Sequence, residues 1–457
     1  MKLTIHEIAQ AVNGQLDTSA FAEKEITSVE FDSRKIVDGS LFVALKGERD
    51  GHEFIDAARK NGAVAALWNK ERQAPADFAV ILVEDVEKAF QQLSTYYLQK
   101  MNPTVIGITG TNGKTSTKDM TAAVLASHYK THKTQGNYNN ELGMPYTILS
   151  MPDDTQKIVL EMGQDRMGDL ILLSSIAKPD VAAITIIGES HLEYFGTRRN
   201  IAIGKMQITD GLQENGLFIY PGDEPLLTDL VEKVHAKKIA FGEDDTQDIS
   251  LSILEEGKNF IRFKASFLES TIRLAVPGVY NAKNALIAAY IGMTEGVPEE
   301  KIVQALETIE LTRNRTEWKK AGNGAEILSD VYNASPTAMA LALDGFSKMP
   351  VNEGGRRIAV LGDMLELGET SQSLHEGIAL NLAPDTIERV YLYGEQMWHL
   401  AEIIKDMYPV GTLFYYKKDE KDDLIKDLRE TLTSQDMIIL KASNTMGLSE
   451  VVEALEK

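Results

Sequence analysis

Gly107-Ile108-Thr109-Gly110-Thr111-Asn112-Gly113-Lys114-Thr115 stands between a strongly apolar run at 105–108 and a stretch of helical composition at 116–128. Glycines at such a strand-to-helix turn let backbone N–H groups approach an anion, and the N-terminus of the following helix favours negative charge. Lys114 would reach the terminal phosphates of a nucleotide and Thr115 would ligate Mg²⁺, so ATP is the expected ligand. The strict pattern, Gly-x-x-x-x-Gly-Lys-Thr, asks for glycine at 108, where the chain has Ile108 with glycines at 107 and 110 instead. The loop is therefore a variant. Its setting predicts an open α/β fold, because phosphate loops sit at the C-terminal edge of such sheets.

Upstream, a helical stretch at 86–100 ends at Asn102-Pro103, where the proline disfavours α geometry at Asn102. Before it, Thr4-x-x-Glu7 opens a short amphipathic helix, and strand-like runs at 41–45 and 79–83 alternate with a helical stretch at 54–60. Downstream, 158–160, 181–187 and 217–220 are unalternating apolar runs, the pattern of strands buried on both faces of a mostly parallel sheet. Residues 249–276 alternate instead and predict an antiparallel flank. After Arg315, strands at 326–331, 358–361, 390–393, 413–416 and 437–440 are separated by helical stretches. The reading is three α/β domains: a small N-terminal one over 1–100, a central nucleotide-binding one over 101–314, and a doubly wound, Rossmann-like one over 315–457.

The 457 residues carry a net charge of −21, which opposes binding to nucleic acid or to an anionic membrane surface. There is no cysteine, so disulfides, thiolate nucleophiles and Cys-ligated zinc are excluded. The charged N-terminus and the lack of a long uninterrupted apolar run predict a cytoplasmic protein without membrane insertion.

Three more residues carry candidate chemistry. Glu161 ends the run at 158–160, where a carboxylate would lie at the ligand-binding edge of the sheet. His191 follows the run at 181–187, and Lys205 lies further on. Singly, each also reads as ordinary: a strand-end acid, a structural histidine, a surface lysine.

Together with the loop they resemble the Mur ligase superfamily, ATP-dependent amide-forming enzymes of peptidoglycan precursor synthesis. The likeness rests on Gly110 to Thr115, on Gly136-Asn137-Tyr138-Asn139-Asn140-Glu141-Leu142-Gly143-Met144-Pro145, on Glu161-Met162-Gly163, on His191 with Lys205, on Asn281-Ala282-Lys283-Asn284-Ala285, and on Arg315 with Asp330. Asp330-Val331-Tyr332-Asn333-Ala334, Leu361-Gly362-Asp363-Met364-Leu365-Glu366-Leu367-Gly368 with His375, and Lys441-Ala442-Ser443-Asn444 resemble the branch that adds D-alanyl-D-alanine to UDP-N-acetylmuramoyl-tripeptide. The last stretch departs from the branch's usual Lys-Gly-Ser-Arg at Ala442 and Asn444.

The resemblance implies Lys114, His191, Lys205 and Arg315 as catalytic residues. It implies Mg²⁺ held through Thr115, Glu161, His191 and Lys205, the lysine acting as its N-carbamate. ATP would lie against Gly110, Thr111, Asn112, Gly113, Lys114, Thr115 and Ser116, with Asn281 and Asn284, and with Arg315 and Asp330 reaching in from the third domain. Ser33, Arg34, Lys46 and Gly47 would meet the uridine nucleotide. Asn139, Asn140 and Arg166 would also bind substrate, and Tyr332, Asn333, Lys441 and Ser443 the dipeptide. The expected partners are these two substrates, with the chain a monomer. Two other readings share the loop: a folylpolyglutamate synthetase-like ligase, against which Asp32-Ser33-Arg34 speaks, and an inactive nucleotide-binding scaffold, which would need neither Glu161 nor His191.

Overall fold

The computed structural model describes residues 1–16, 21–310 and 316–457. It contains three main sheets. The first, of five strands, runs Gln15–Leu16, Ala79–Val83, Ala63–Asn69, Ser40–Val43, Ser28–Glu30, and only its first strand is antiparallel to its neighbour. The helix Val86–Met101 then packs beside it and ends at Asn102, whose left-handed φ of 50° closes the helix before Pro103.

The second sheet has nine strands and carries the phosphate loop. Thr104–Thr109 lies inside it, between Lys157–Glu161 and Val181–Ile184, all parallel. The chain leaves Thr104–Thr109 toward one side of the sheet and returns to its other side, so the loop opens at a topological switch point, where open α/β sheets leave a crevice. Ile249–Gly257, Phe260–Ala265 and Thr271–Leu274 form the antiparallel flank expected from their alternation. The unalternating apolar runs have a direct cause. Ile106, Ile108 and Val159 point into one core, beneath the helices Lys114–Ala126 and Val279–Thr294, while Val105, Ile158 and Leu160 point into another on the opposite face.

The third sheet orders its six strands Glu317–Lys320, Glu326–Asp330, Met437–Lys441, Arg357–Gly362, Arg389–Tyr393, Leu413–Tyr416, parallel except for the first. Helices cover both faces, giving the doubly wound layout expected. One expected strand is shorter than its apolar run. The strand Val181–Ile184 stops before Ile187 because the next residues turn to the phosphate loop: Ile186 O accepts the Thr111 N–H at 2.8 Å. Among the described residues no helix is long and apolar enough to cross a membrane.

Candidate active site

The phosphate loop is shaped by close approach. Gly110, at φ 150°, has so little room that a Cβ there would lie 1.9 Å from Thr185 Oγ1. Gly113, at φ 80°, precedes the first residue of the helix Lys114–Ala126, and a Cβ on it would meet Asn284 Oδ1 at 2.8 Å. Only glycine combines that backbone with that contact. Thr111 Oγ1 accepts the Gly188 N–H at 2.8 Å, and Lys114 Nζ donates to Gly110 O and Thr111 O at 2.9 and 3.0 Å, which folds the ammonium over the loop.

Around the loop opens a cleft of about 800 Å³ between the second and third sheets. Asn112, Gly113, Ser116, Asn281 and Asn284 line one side, and Asp330, Tyr332, Asn333 and Lys441 the other. Lys441 pairs with Asp330 and donates to Asn333 O at 3.1 Å. Tyr332, Asn333 and Lys441, expected at the dipeptide, thus share the cleft of Asn281 and Asn284. Ser443 faces elsewhere, accepting the Leu365 N–H at 2.9 Å. Arg315 lies outside the described residues.

Thr115 and Glu161 come together as expected of partners to a cation. The Thr115 hydroxyl donates to Glu161 Oε2 at 2.8 Å, and Asn139 Nδ2 donates to Glu161 Oε1 at 2.8 Å. Hydroxyl and carboxylate oxygens are hard donors that suit Mg²⁺. His191 stands apart from that pair, at φ 58°, with Nε2 3.3 Å from Asp165 Oδ1 and Nδ1 2.6 Å from Glu366 Oε2. The Glu366 approach is close but its angle makes no hydrogen bond. Burial, offset in part by those two carboxylates, holds the imidazole below its ordinary range. Lys205 is 3 % exposed. Burial first and the Lys114 charge second hold its amine well below the usual lysine range. Among the described residues no three His, Asp or Glu side chains converge as a metal cage, so a cation here would draw its remaining ligands from phosphate and water.

Other expected residues serve local structure. Asn140 Oδ1 accepts the Gly143 N–H at 2.8 Å, at the start of the helix Gly143–Leu149. Arg166 stacks over the Tyr194 ring at 5.6 Å. Arg34, 88 % exposed in its side chain, pairs with Asp32, whose carboxyl it holds down to about 2. Ser33 O accepts from Asn61, and Lys46 and Gly47 border a separate hollow with Asp50, His52 and Arg72.

The sequence reading passes over several residues that the fold brings to the site. Thr185 lines the cleft and donates to Asn112 O. Ser335 donates to Asn112 Oδ1 at 3.0 Å, and Glu189 Oε2 accepts both the N–H and the hydroxyl of Thr337, at 3.0 and 2.7 Å, so the third sheet's helix Pro336–Lys348 is tied to the loop region at its N-terminus. Asp165 and Glu189 lie four and two residues from Glu161 and His191, and Ser335 directly follows the stretch Asp330 to Ala334, so each had a signal in that proximity; Thr337 had none beyond a helix start.

Comparison with known proteins agrees with this geometry. Residues 108–292 match the Mur ligase middle domain, 314–444 the Mur ligase glutamate ligase domain, and 25–98 the Mur ligase family catalytic domain. The UDP-N-acetylmuramoyl-tripeptide--D-alanyl-D-alanine ligase of Bacillus subtilis is 39% identical over 464 residues, covering 100% of this chain and 98% of that protein. Among solved structures, MurF from Acinetobacter baumannii superposes with a TM-score of 0.90 at 28% identity, covering 100% of this chain and 99% of that one. MurF ligase from Thermotoga maritima in complex with ADP has a TM-score of 0.80 at 30% identity, covering 94% and 97%.

Proposed function

The chain belongs to the Mur ligase family, and from that premise we propose that it joins D-alanyl-D-alanine to UDP-N-acetylmuramoyl-tripeptide at the expense of ATP, releasing ADP and phosphate. One observation carries the reading: a phosphate loop whose cleft is closed by Asp330 and Lys441 of the third sheet and by the neighbouring Asn333, in a chain whose full-length relatives bear that activity in their names. Those full-length matches disfavour the folate-ligase alternative.

The substrate carboxylate attacks the γ-phosphorus of ATP, and the amine of the dipeptide then attacks the acyl phosphate, expelling phosphate. Two anions must meet in the first step, so positive charge dominates the catalysis. Lys114 brings its ammonium from the loop to the terminal phosphates. Thr115 and Glu161 would hold one Mg²⁺, and His191 beside Lys205 a second; the ions supply further charge neutralisation when bound. Asn281 and Asn284 orient the nucleotide, Arg315 and Asp330 engage it from the third domain, and Gly110 to Ser116 cradle its phosphates. The Asn112–Ser335 and Glu189–Thr337 hydrogen bonds keep the two sheets closed over the cleft, which excludes water from an intermediate that water would destroy.

We assign Lys205 as an N-carbamate. Its buried amine, held toward the neutral form, is the species that adds CO₂, losing a proton to give an anion where an ammonium would repel a cation. Ser33, Arg34, Lys46 and Gly47 receive the uridine nucleotide in the domain 1–100; Asn139, Asn140 and Arg166 take the rest of that substrate in 101–314. Tyr332, Asn333, Lys441 and Ser443 of 315–457 serve the dipeptide, Lys441 from the cleft it shares with the nucleotide. ATP and a UDP-linked substrate assign the reaction to the cytoplasm, with the chain acting as a monomer.

The deciding experiment is phosphate release from ATP. Release that needs both UDP-N-acetylmuramoyl-tripeptide and D-alanyl-D-alanine is expected; release driven by a folate with glutamate, or none with either pair in protein that still binds ADP, overturns the reading.

A further inference from the structure

The helix Lys114–Ala126 carries, one turn beyond Lys114, a second lysine that does not reach solvent. Lys118 is 1 % exposed, and charge at that depth requires compensation. Its ammonium donates to Thr134 O at 3.0 Å and lies 3.4 Å from Asp119 Oδ1. It also lies 3.9 Å from Glu161 Oε2, the same oxygen that accepts the Thr115 hydroxyl. Asp119, equally buried, takes Lys133 at 2.7 Å as well. Thr134 closes the circuit, its Oγ1 accepting the Glu161 N–H at 3.0 Å. Two carboxylates, Asp119 and Glu161, therefore face two ammonium groups, Lys118 and Lys133, and these four charges cancel with no divalent cation counted.

We propose that Lys118 is a built-in counter-cation for Glu161, a positioning residue that keeps this carboxylate aimed at Thr115 in the nucleotide-free protein and, by like charge, holds down the affinity for a bare divalent cation. The inference rests on reading Glu161 as a metal ligand. Charges a few ångströms apart and screened from water interact strongly. With Lys118 present, an arriving cation meets an acid already balanced, and the phosphates of ATP bring the negative charge that lets both cations stay. Metal then enters with the nucleotide and leaves with it. If Lys118 served only to tie down Thr134, its removal would lower stability without strengthening metal binding.

The probe is Mn²⁺, titrated into the full-length nucleotide-free protein and followed by loss of the free-ion electron paramagnetic resonance signal, with thermal unfolding measured alongside. Lys118→Met should tighten Mn²⁺ binding by about tenfold, a difference well within what one buried charge supplies. Lys118→Arg should bind as wild type does. Glu161→Gln should weaken binding in wild type and erase the gain in the Met variant. If the folded Met variant binds no tighter while Glu161→Gln still weakens binding, the role of Lys118 is refuted and Glu161 stands as a ligand. If the Arg variant tightens as the Met variant does, charge is not the cause and the proposal fails. If Glu161→Gln changes nothing, the metal reading itself fails and takes the proposal with it. Should Lys118→Met not fold, Asp119→Asn decides: it leaves the Lys118 charge bearing more fully on Glu161, so Mn²⁺ should bind more weakly, and unchanged or tighter binding overturns the idea.

Discussion

Thr115 and Glu161 meet at 2.8 Å within one sheet edge and its following helix, both nearly without solvent contact, whereas His191 lies 26 % exposed on a seam between Asp165 of the central sheet and Glu366 of the C-terminal one. The first region is complete within a single unit: parallel strands fix Glu161, the loop fixes Thr115, and Asn139 takes up the second carboxylate oxygen. The second exists only where two units touch, through Asn112 with Ser335, Glu189 with Thr337, and the Glu193 N–H with Glu366 O. The Thr115–Glu161 region is thus preorganised, while on the proposed reading the place where the activated carbonyl meets its amine depends on closure. That division suits a ligase that must shield a reactive intermediate.

If the division is right, substitutions on the preorganised side cost most. Lys114→Ala should lower kcat by about 10³-fold or more with an unchanged unfolding temperature, because its ammonium serves phosphate charge and no core. A near wild-type rate in folded protein would break the comparison at its stronger end. Glu161→Gln should cost about 10²-fold and should raise the Mg²⁺ concentration needed for half-maximal rate. On the seam, Glu189→Gln keeps shape but weakens the contact to Thr337, and about a tenfold loss in kcat/KM is expected, with ADP binding little changed. A loss as large as that of Lys114→Ala would show that closure, and not charge, dominates.

Smaller effects separate the outlying regions. Arg34→Ala should raise KM for the UDP-linked substrate severalfold and leave kcat alone, since its side chain is solvent-exposed and paired with Asp32. Steady-state kinetics at saturating ATP measure this, and a kcat effect would place Arg34 nearer the chemistry than the fold does.

The smallest effect concerns the loop that presents Glu366. His375 Nε2 accepts the Met364 N–H at 3.0 Å and Nδ1 lies 2.7 Å from Ser371 O, an arrangement that needs the neutral ring; burial lowers its pKa accordingly. Because the folded value lies below the ordinary 6.5, the stabilisation is complete above about pH 6.5 and is lost as pH falls from there through the folded value. Thermal unfolding from pH 7.5 downward should show this loss in wild type, and His375→Gln should flatten that part of the profile; an unchanged slope would remove His375 from the account.

Much of the fold was legible because its signals are local. Residues 105–108 and 158–160 are apolar without alternation, and the two cores that bury their opposite faces are the reason. The alternation in 249–276 marked the antiparallel flank, and Asn102-Pro103 marked a helix end that a left-handed residue completes. The run at 181–187 misled only at its end, where Thr185 and Ile186 turn from the sheet to the phosphate loop. In the site, the phosphate loop and the Thr115–Glu161 pair were readable from motif and strand position. The sharing of one cleft by Lys441 and Asn284 was not.

By itself the sequence determined the phosphate loop, the parallel sheets and the signature stretches around Glu161, His191 and Asp330, because hydrogen bonding along a helix and burial of a strand depend on residues a few positions apart. Tertiary structure alone decided that Asn112 meets Ser335 across 223 residues, that His191 stands between two units, and that Lys118 is a buried charge beside Glu161. A lysine in a helical stretch reads as solvated, and its cost or use is set by the dielectric and the charges around it, which exist only once distant segments have packed.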